Sequence, residues 1–569
     1  MRHLATIAIL FISAAAVAQA PVISAITPVE TYPTNQVIIT GSGFSATPAQ
    51  LQVWFNQVKG SIVSSSEFSI TVTVPPSARF GVLEVINLST RLSARSSFKF
   101  SPYYSGTNFN PAELDAPLTF TGSNELFDIC SCDLNADGKP DLAVTQFDNE
   151  TDLIVLQNTS TVGSLSFNKL DKSNLASLNI GAPTEKITCA DLNGDGKPEL
   201  IATRSGATKN IVYVLPNTSA GTISFGAAVP LLLDIGNFAR FVKVRDLDND
   251  GKPEIIVTNS FNNQLYIFKN QSTGGVLNIN PTPVKITVTG ATTTYGLDVQ
   301  DLDNDGLADL IVNQFQSNNI FVLKNQGGAS FSFNAPVVIT APGTLNEVVT
   351  ADINEDGRLD LITTNTFSNQ VLVLLNTSTT SISFNTTITL TTFNGPWGVE
   401  VGDIDGDQDM DIIVANRNQT QLNIFRHNGN NTSPGFSNAS VVTSNPTRNI
   451  LVGDLDGDGK PEIAYSSFNI GTSTYKVEIL RNKNCFVPVI LNEGPLTICA
   501  TQTIRLNSIP GIGVATYDWK ESGVSQSVSA NPFYDITTAG TYTVTATSES
   551  GNCVITSAAI VVTAGTGSV

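Results

Sequence analysis

Histidine is almost missing: His3 and His427 are the two in 569 residues. His3 belongs to an N-terminal stretch that reads as removable, so one imidazole remains. That argues against His-based nucleophilic catalysis and against multi-His zinc centres. Basic residues are also short, 30 against 49 acidic ones, and a net charge of −19 makes nucleic acid or an anionic membrane an unexpected partner. Beyond the first 17 residues no stretch reaches the ~20 apolar residues of a membrane-spanning helix. Cysteine is scarce too, and Cys130 and Cys132 lie too close in C-S-C for a zinc half-site, whose cysteines are spaced by two to four residues.

The N-terminus explains the fate of His3. Met1-Arg2-His3 is a short basic start, Leu4 to Val17 is apolar, and Ala18-Gln19-Ala20 fits small-x-small cleavage. Residues 1–20 therefore read as a secretory signal, which implies export. No Cys follows the cleavage point, so a lipid anchor there is not expected.

Acidic residues are plentiful, and they are concentrated. DLNADGKPD at Asp133 returns as DLNGDGKPE at Asp191, DLDNDGKPE at Asp246, DLDNDGLAD at Asp301, DINEDGRLD at Asp352, DIDGDQDMD at Asp403 and DLDGDGKPE at Asp454. The starts are 58, 55, 55, 51, 51 and 51 residues apart, which indicates a repeat architecture. Oxygen donors at positions 1, 3, 5 and 9 converge when the chain turns sharply at position 6, as suits a hard cation wanting six to eight oxygens. The expected ligands are Asp133, Asn135, Asp137 and Asp141; Asp191, Asn193, Asp195 and Glu199; Asp246, Asp248, Asp250 and Glu254; and Asp301, Asp303, Asp305 and Asp309. The last three loops offer Asp352, Asn354, Asp356 and Asp360; Asp403, Asp405, Asp407 and Asp411; and Asp454, Asp456, Asp458 and Glu462. Position 12 is never acidic, and short apolar runs such as EIIV follow, so each loop opens onto a strand and is no EF-hand. These ligands include 25 of the 49 carboxylates, so the acidity is largely metal chemistry. The sixth copy departs in having Gln408 where the others have Gly.

The repeats resemble the FG-GAP/VCBS family, the integrin-α-like β-propellers whose DxDxDGxxD loops bind calcium, and Gly181-Ala182-Pro183 stands where that family's motif would. The resemblance implies up to seven Ca²⁺. Each repeat offers four strand candidates, as in FVKVRDL, EIIVTN, QLYIFKN and INPTPVKITV, giving an expected seven-bladed propeller over 103–486. A Phe-led fourth strand precedes later loops (Phe167, Phe225, Phe333, Phe384, Phe436, with Leu277 standing in once), and the segment after Phe109 is expected to close the seventh blade. The third strand ends in Asn158, Asn217, Asn270, Asn325, Asn376 or Asn482, with His427 in the sixth copy; these are read as turn residues before glycosylation sites. On the opposite face, Trp397, Arg240 and Arg448 break the repeat and are binding candidates, whereas Phe147, Phe261, Phe315, Phe367 and Phe468 recur as packing residues would.

Residues 21–102 contain short alternating strands, and Ile26-Thr27-Pro28 and the ITGSGF ending at Phe44 resemble the IPT/TIG family. Residues 487–569 resemble Ig-like or PKD-like modules through Cys499, Trp519 and Cys553, which implies a Cys499–Cys553 disulfide. One bridge from Cys189 to the first blade is also expected, because it and Cys130/Cys132 point to opposite sheet faces; the pairing of Cys485 stays open. The whole is expected to be all-β, a propeller flanked by two sandwiches. Its expected role is a secreted or cell-surface calcium-binding protein for adhesion or recognition of an extracellular protein or polysaccharide, and not an enzyme. The alternatives are a calcium-dependent, lyase-like polysaccharide enzyme and a structural spacer.

Overall fold

In the computed structural model, residues 20–565 are described except for 29, 32–34, 56–57, 76–77, 79–80, 103–108, 148–152, 205–209, 235–237, 316, 380, 408, 470, 484–487, 494–495, 499–501, 510–513 and 549–553. The signal segment up to residue 19, Gln408, Cys485, Cys499 and Cys553 thus lie outside the described residues. Strands dominate, and among the described residues no helix is long and apolar enough to cross a membrane.

The repeats fold as seven four-stranded antiparallel sheets arranged as a β-propeller. The third blade shows the pattern: Ala239–Arg245 innermost, then Glu254–Asn259, Gln264–Phe268 and Val284–Thr287. EIIVTN is rich in β-branched residues and all six are buried, because both faces of this strand meet neighbouring sheets. The outermost strand alternates only weakly and is largely exposed. The core accordingly forms layers between sheets. Phe241, Ile256 and Ile267 pack on Leu297, Leu310 and Val312 of the fourth blade, and Leu142 and Leu156 of the first blade pack on Leu451 and Ile479 of the seventh. Each such Leu, Ile or Val contributes about 1.5–3 kcal/mol by leaving water, and a charge placed at Ile256 would break two sheets' packing at once.

Closure is made by Leu118–Thr121, which pairs with Thr474–Leu480 and completes a sheet otherwise built from Thr447–Gly453 and Glu462–Asn469. Two details differ from the sequence reading. The residue bridging to Asn482 is Leu114, not Phe109, which is buried nearby; and Asn270 bridges to Ile279, not Leu277. In both cases an aliphatic side chain fills a slot that is Phe elsewhere, so the Phe spacing misplaced the register.

Residues before the propeller form two sheets, one of Val22–Thr27, Gln36–Ser42, Ser69–Thr73 and Ser61–Ser65, the other centred on Leu92–Pro102, Gly81–Asn87 and Leu51–Phe55. Their shared core includes Val37, Val53, Phe55 and Phe100. This unit sits on the face that carries the acidic loops. Ser93 N–H donates to Gly251 O (2.8 Å), Arg91 Nη1 to Gly194 O (3.1 Å) and Arg95 Nη1 to Val244 O (2.8 Å). The approach needs glycine: a Cβ on Gly194 would lie 2.5 Å from the Arg91 carbonyl oxygen. C-terminal strands form a further pair of sheets around the fully buried Trp519.

Candidate metal loops and the opposite face

Each loop lies between the first and second strands of a blade and is built by its own side chains. The position 1 carboxylate accepts from backbone N–H groups of the turn: Asp133 takes Asp137 N (3.0 Å) and Gly138 N (2.9 Å), and Asp301 takes Asp305 N (3.1 Å) and Gly306 N (2.8 Å). Position 5 accepts from the N–H of position 7 in every copy, at 3.0 Å for Lys139 to Asp137 and 3.1 Å for Asp409 to Asp407. Position 9 accepts from position 2, as Leu302 N does to Asp309 (3.1 Å) and Leu455 N to Glu462 (2.7 Å). The backbone is left-handed at the position 6 glycines, from Gly251 (φ 80°) to Gly306 (φ 87°). Position 4 is left-handed too in all seven copies, including Ala136 (φ 62°) and Glu355 (φ 53°), which the sequence reading missed. Gly or Asn at this position in the other five copies was the available signal.

The position 3 side chain accepts from the position 5 N–H in four loops, as Asn193 does from Asp195 N (2.8 Å). Among the described residues, carboxylate oxygens come within 4.8 Å of one another in four loops: Asp246/Asp248/Asp250, Asp301/Asp303/Asp309, Asp403/Asp405/Asp411 and Asp454/Asp456/Glu462. Asp305, Asp407 and Asp458 fall outside those triads, as does Glu254. The first, second and fifth loops have Asn135, Asn193 and Asn354 at position 3 and so gather fewer acids. Oδ1 of Asp248, Asp303 and Asn354 is buried without a hydrogen-bond partner. Burial, reinforced by neighbouring carboxylates, pushes Asp133 and Asp246 up to about 6, Asp191 to about 7 and Glu254 to about 8. Orphaned buried oxygens on crowded, desolvated acids fit an oxygen-seeking divalent cation such as Ca²⁺.

Around the loops, the Asn that ends the third strand does more than turn the chain. Its amide reaches the loop of the preceding blade: Asn217 Nδ2 donates to Leu134 O (3.0 Å), Asn270 to Leu192 O (2.8 Å), Asn325 to Leu247 O (2.8 Å) and Asn376 to Leu302 O (2.9 Å). Asn158 reaches Leu455 O (2.8 Å) and so crosses the closure. The amide oxygen meanwhile accepts from the residue two on, as from Ser219 N (2.9 Å). His427 occupies this slot in the sixth blade, and its Nε2 is buried without a partner. At the other end of the blades a second set of contacts runs forward. Thr145 Oγ1 donates to Glu185 O (2.9 Å), Thr203 to Arg240 O (3.0 Å), Thr258 to Tyr295 O (2.7 Å) and Thr364 to Trp397 O (3.1 Å). These hydroxyls recur four residues after position 9, a period not read from the sequence. The expected covalent link between the first two blades is present as the Cys132–Cys189 disulfide, with Cys130 outside it.

On the face away from the loops, Arg448 lies over Phe127 (4.8 Å) and Phe468 (4.8 Å), near Trp397 (5.9 Å), and pairs with Glu125. Arg240 pairs with Glu185 and donates to Tyr295 Oη (2.7 Å). Trp397 is 8% exposed, so this stack is a packed plug and not the open surface its irregular sequence suggested. Among the described residues of this face, Phe261 (64%), stacked on Phe238 at 3.9 Å, and Phe367 (68%) are exposed, both from the set expected to pack. Inside the ring, Lys186 Nζ bridges Asp128 (3.3 Å) and Glu347 (3.0 Å) beside a cavity of about 240 Å³.

The profile of the FG-GAP-like repeat matches six overlapping spans, 133–202, 191–257, 246–312, 301–363, 356–414 and 403–465. The chain belongs to the FG-GAP-like repeat family. Each matched span runs from one FG-GAP loop to the second strand of the following blade. The IPT/TIG domain profile matches residues 21–102. No curated protein matches the chain. Among solved structures it is similar to an Agrocybe aegerita lectin that recognises non-reducing terminal N-acetylglucosamine (16% identity, 69% of this chain and 94% of that one, TM-score 0.40). It is likewise similar to an auxiliary nutrient binding protein of Bacteroides thetaiotaomicron (12%, 81% and 98%, TM-score 0.30) and to the Dos1 propeller (10%, 82% and 94%, TM-score 0.36).

Proposed function

We propose that this FG-GAP propeller is an exported, calcium-stabilised recognition protein, in which up to seven Ca²⁺ hold the loops and an exposed aromatic surface contacts an extracellular polysaccharide or protein. The observation that carries the calcium reading is the set of buried, unpartnered oxygens of Asp248, Asp303 and Asn354 among desolvated carboxylates. Positions 1, 3, 5 and 9 would hold the ion, which would neutralise charges that otherwise repel one another. Export is supported by the leader-like residues 1–20 and by a disulfide, which persists in oxidising compartments.

Recognition is assigned to the face bearing Phe261 and Phe367, because the TIG domain covers part of the loop face. Large exposed rings on the tips of the third and fifth blades offer flat apolar contact for sugar C–H faces or for protein side chains. A lyase-like reading would need an uncommitted Lys, Tyr or Arg base; Lys186, Arg240 and Tyr295 are instead tied into ion pairs and hydrogen bonds. Glycan and protein arrays probed with and without EDTA, using the natural chain and the double variant Phe261→Ala/Phe367→Ala, test the proposal. The expected outcome is a ligand signal lost in the double variant at unchanged melting temperature. A signal that survives the double substitution would move recognition elsewhere, and silence on all arrays would favour a spacer.

A further inference from the structure

One slot, immediately before the stapling Asn or the His427 that replaces it, sorts the seven loops. It holds Gln157, Pro216 and Leu375 where position 3 is Asn135, Asn193 and Asn354. It holds Lys269, Lys324, Arg426 and Arg481 where position 3 is Asp248, Asp303, Asp405 and Asp456. No copy departs from this rule. The side chain at position 7 does not sort the same way, being Lys139, Lys197 and Arg358 in the first group and Lys252, Leu307, Asp409 and Lys460 in the second.

The structure places the cations on those acids. Lys269 Nζ lies 2.5 Å from Asp248, 2.8 Å from Asp250 and 3.3 Å from Glu254. Lys324 pairs with Asp303 and lies 3.0 Å from Asp305. Arg481 lies 2.5 Å from Asp456 and 2.6 Å from Asp458, and Arg426 lies 3.4 Å from Asp405. Counting positions 1, 3, 5 and 9 with this slot, every loop carries a formal charge of −3: three acids beside a neutral residue, or four beside one cation. Even so, Oδ1 of Asp248 and of Asp303 keeps no hydrogen-bond partner, and both side chains are 2% exposed. The tethered cation takes one carboxylate oxygen and leaves the other buried and unpartnered.

We propose that the Lys or Arg in this slot is a tethered counter-charge that sets the divalent-cation affinity of its loop, so that Asp-type and Asn-type loops reach the same net charge by two routes. The inference rests on the calcium reading above. At these separations one elementary charge is a large influence on a divalent ion, even with protein and solvent screening. It predicts a compensation that a plain surface ion pair would not give. Removing the cation alone strengthens calcium binding and loosens the calcium-free loop. Removing the position 3 charge alone weakens binding. Removing both converts the loop to the Asn type and restores it.

The test is a four-member cycle in the full chain: the natural sequence, Lys324→Gln, Asp303→Asn and the double variant. Calcium is the titrant, and hydrogen exchange of the peptide containing residues 301–309 is the site-specific readout. Lys324→Gln is expected to bind about tenfold tighter and Asp303→Asn about tenfold weaker, with the double variant within about threefold of the natural loop. With chelator present, exchange in this peptide rises in Lys324→Gln and returns to the natural rate in the double variant. The equivalent cycle with Lys269→Gln and Asp248→Asn serves if either fourth-loop variant fails to fold. Calcium protection unchanged in Lys324→Gln, with the double variant as weak as Asp303→Asn, would overturn the counter-charge role while leaving calcium binding intact. Absence of calcium-dependent protection in every loop of the natural chain would remove the calcium reading and this inference together.

Discussion

The asparagine that ends the third strand in each of the first five blades carries three side-chain hydrogen bonds in a space sealed from water. Asn217 donates to Leu134 O and Pro198 O, both at 3.0 Å, and accepts from Ser219 N at 2.9 Å. Asn217→Ala leaves two buried carbonyls and one N–H unpaired, and should cost about 2–4 kcal/mol, read as a lower melting temperature in calorimetry. Asn217→Asp should be nearly as damaging, since a carboxylate cannot donate to either carbonyl. The reverse holds at His427, which has no amide to offer Ile353, the carbonyl equivalent to Leu134. His427→Asn is expected to gain about 1 kcal/mol. A melting temperature that falls instead would mean that the edge-on contact of His427 with Phe436 (5.3 Å) outweighs the missing bond.

At the scale of the loop, buried carboxylates make stability depend on pH in a direction that calcium reverses. Burial lifts Asp309 and Asp360 to about 7 and Glu254 to about 8, all above their values in an unfolded chain. The calcium-free folded state therefore binds more protons than the unfolded one between about pH 4 and pH 8, so its stability falls as pH rises through that window. With calcium bound the carboxylates stay ionised, and acid then opposes the folded state by displacing the ion. Melting curves at about pH 5.5 and pH 8 should show the higher midpoint at the lower pH in EDTA, and the larger gain from calcium at the higher pH. A chelated protein equally stable at both would contradict the raised values. These same loops show what a sequence displays and what it hides. Positions 1, 3, 5 and 9 were legible because their chemistry lies in the side chains, and position 6 because its left-handed backbone favours glycine. Position 4 was obscured by Ala136 and Glu355, although its left-handed turn is as regular as that of Gly138. The stapling Asn was visible as a slot, but its partner is a backbone carbonyl, which carries no residue signature. Trp397 and Arg448 were misjudged because Arg448, on the seventh blade, is covered by Phe127 of the first blade and lies near Trp397 of the sixth, neighbours far apart in the sequence.

For the whole ring, one blade is less well tied than the rest. The sixth has His427 in the amide slot, Ala415 in the slot that holds Thr145, Thr203, Thr258, Asn313, Thr364 or Ser466 in the other blades, and Gln408 in place of the turn glycine. Thr447 makes a partial substitution by accepting from Asn416 N (2.9 Å). Hydrogen exchange in the strands Asp411–Asn416 and Gln421–His427 should exceed that of the matching strands in blades two to five, because local opening is set by the bonds that must break. Uniform exchange around the ring would show that interblade packing, and not the staples, governs opening.

The staples also bear on how the protein can be made. Asn158, Asn217, Asn270 and Asn376 each begin an Asn-x-Ser triplet, and each is buried with its amide nitrogen already bonded to a neighbouring blade. A cell that attaches oligosaccharide to such triplets during translocation would modify them before the ring can close. A bulky glycan on that nitrogen removes one of its two N–H groups and wedges adjacent blades apart. Production in a yeast or insect secretory pathway should therefore yield glycosylated, misfolded chains, while tunicamycin treatment or a bacterial periplasm yields the closed ring. Folded, fully glycosylated protein from such a host would show that closure outruns the transferase.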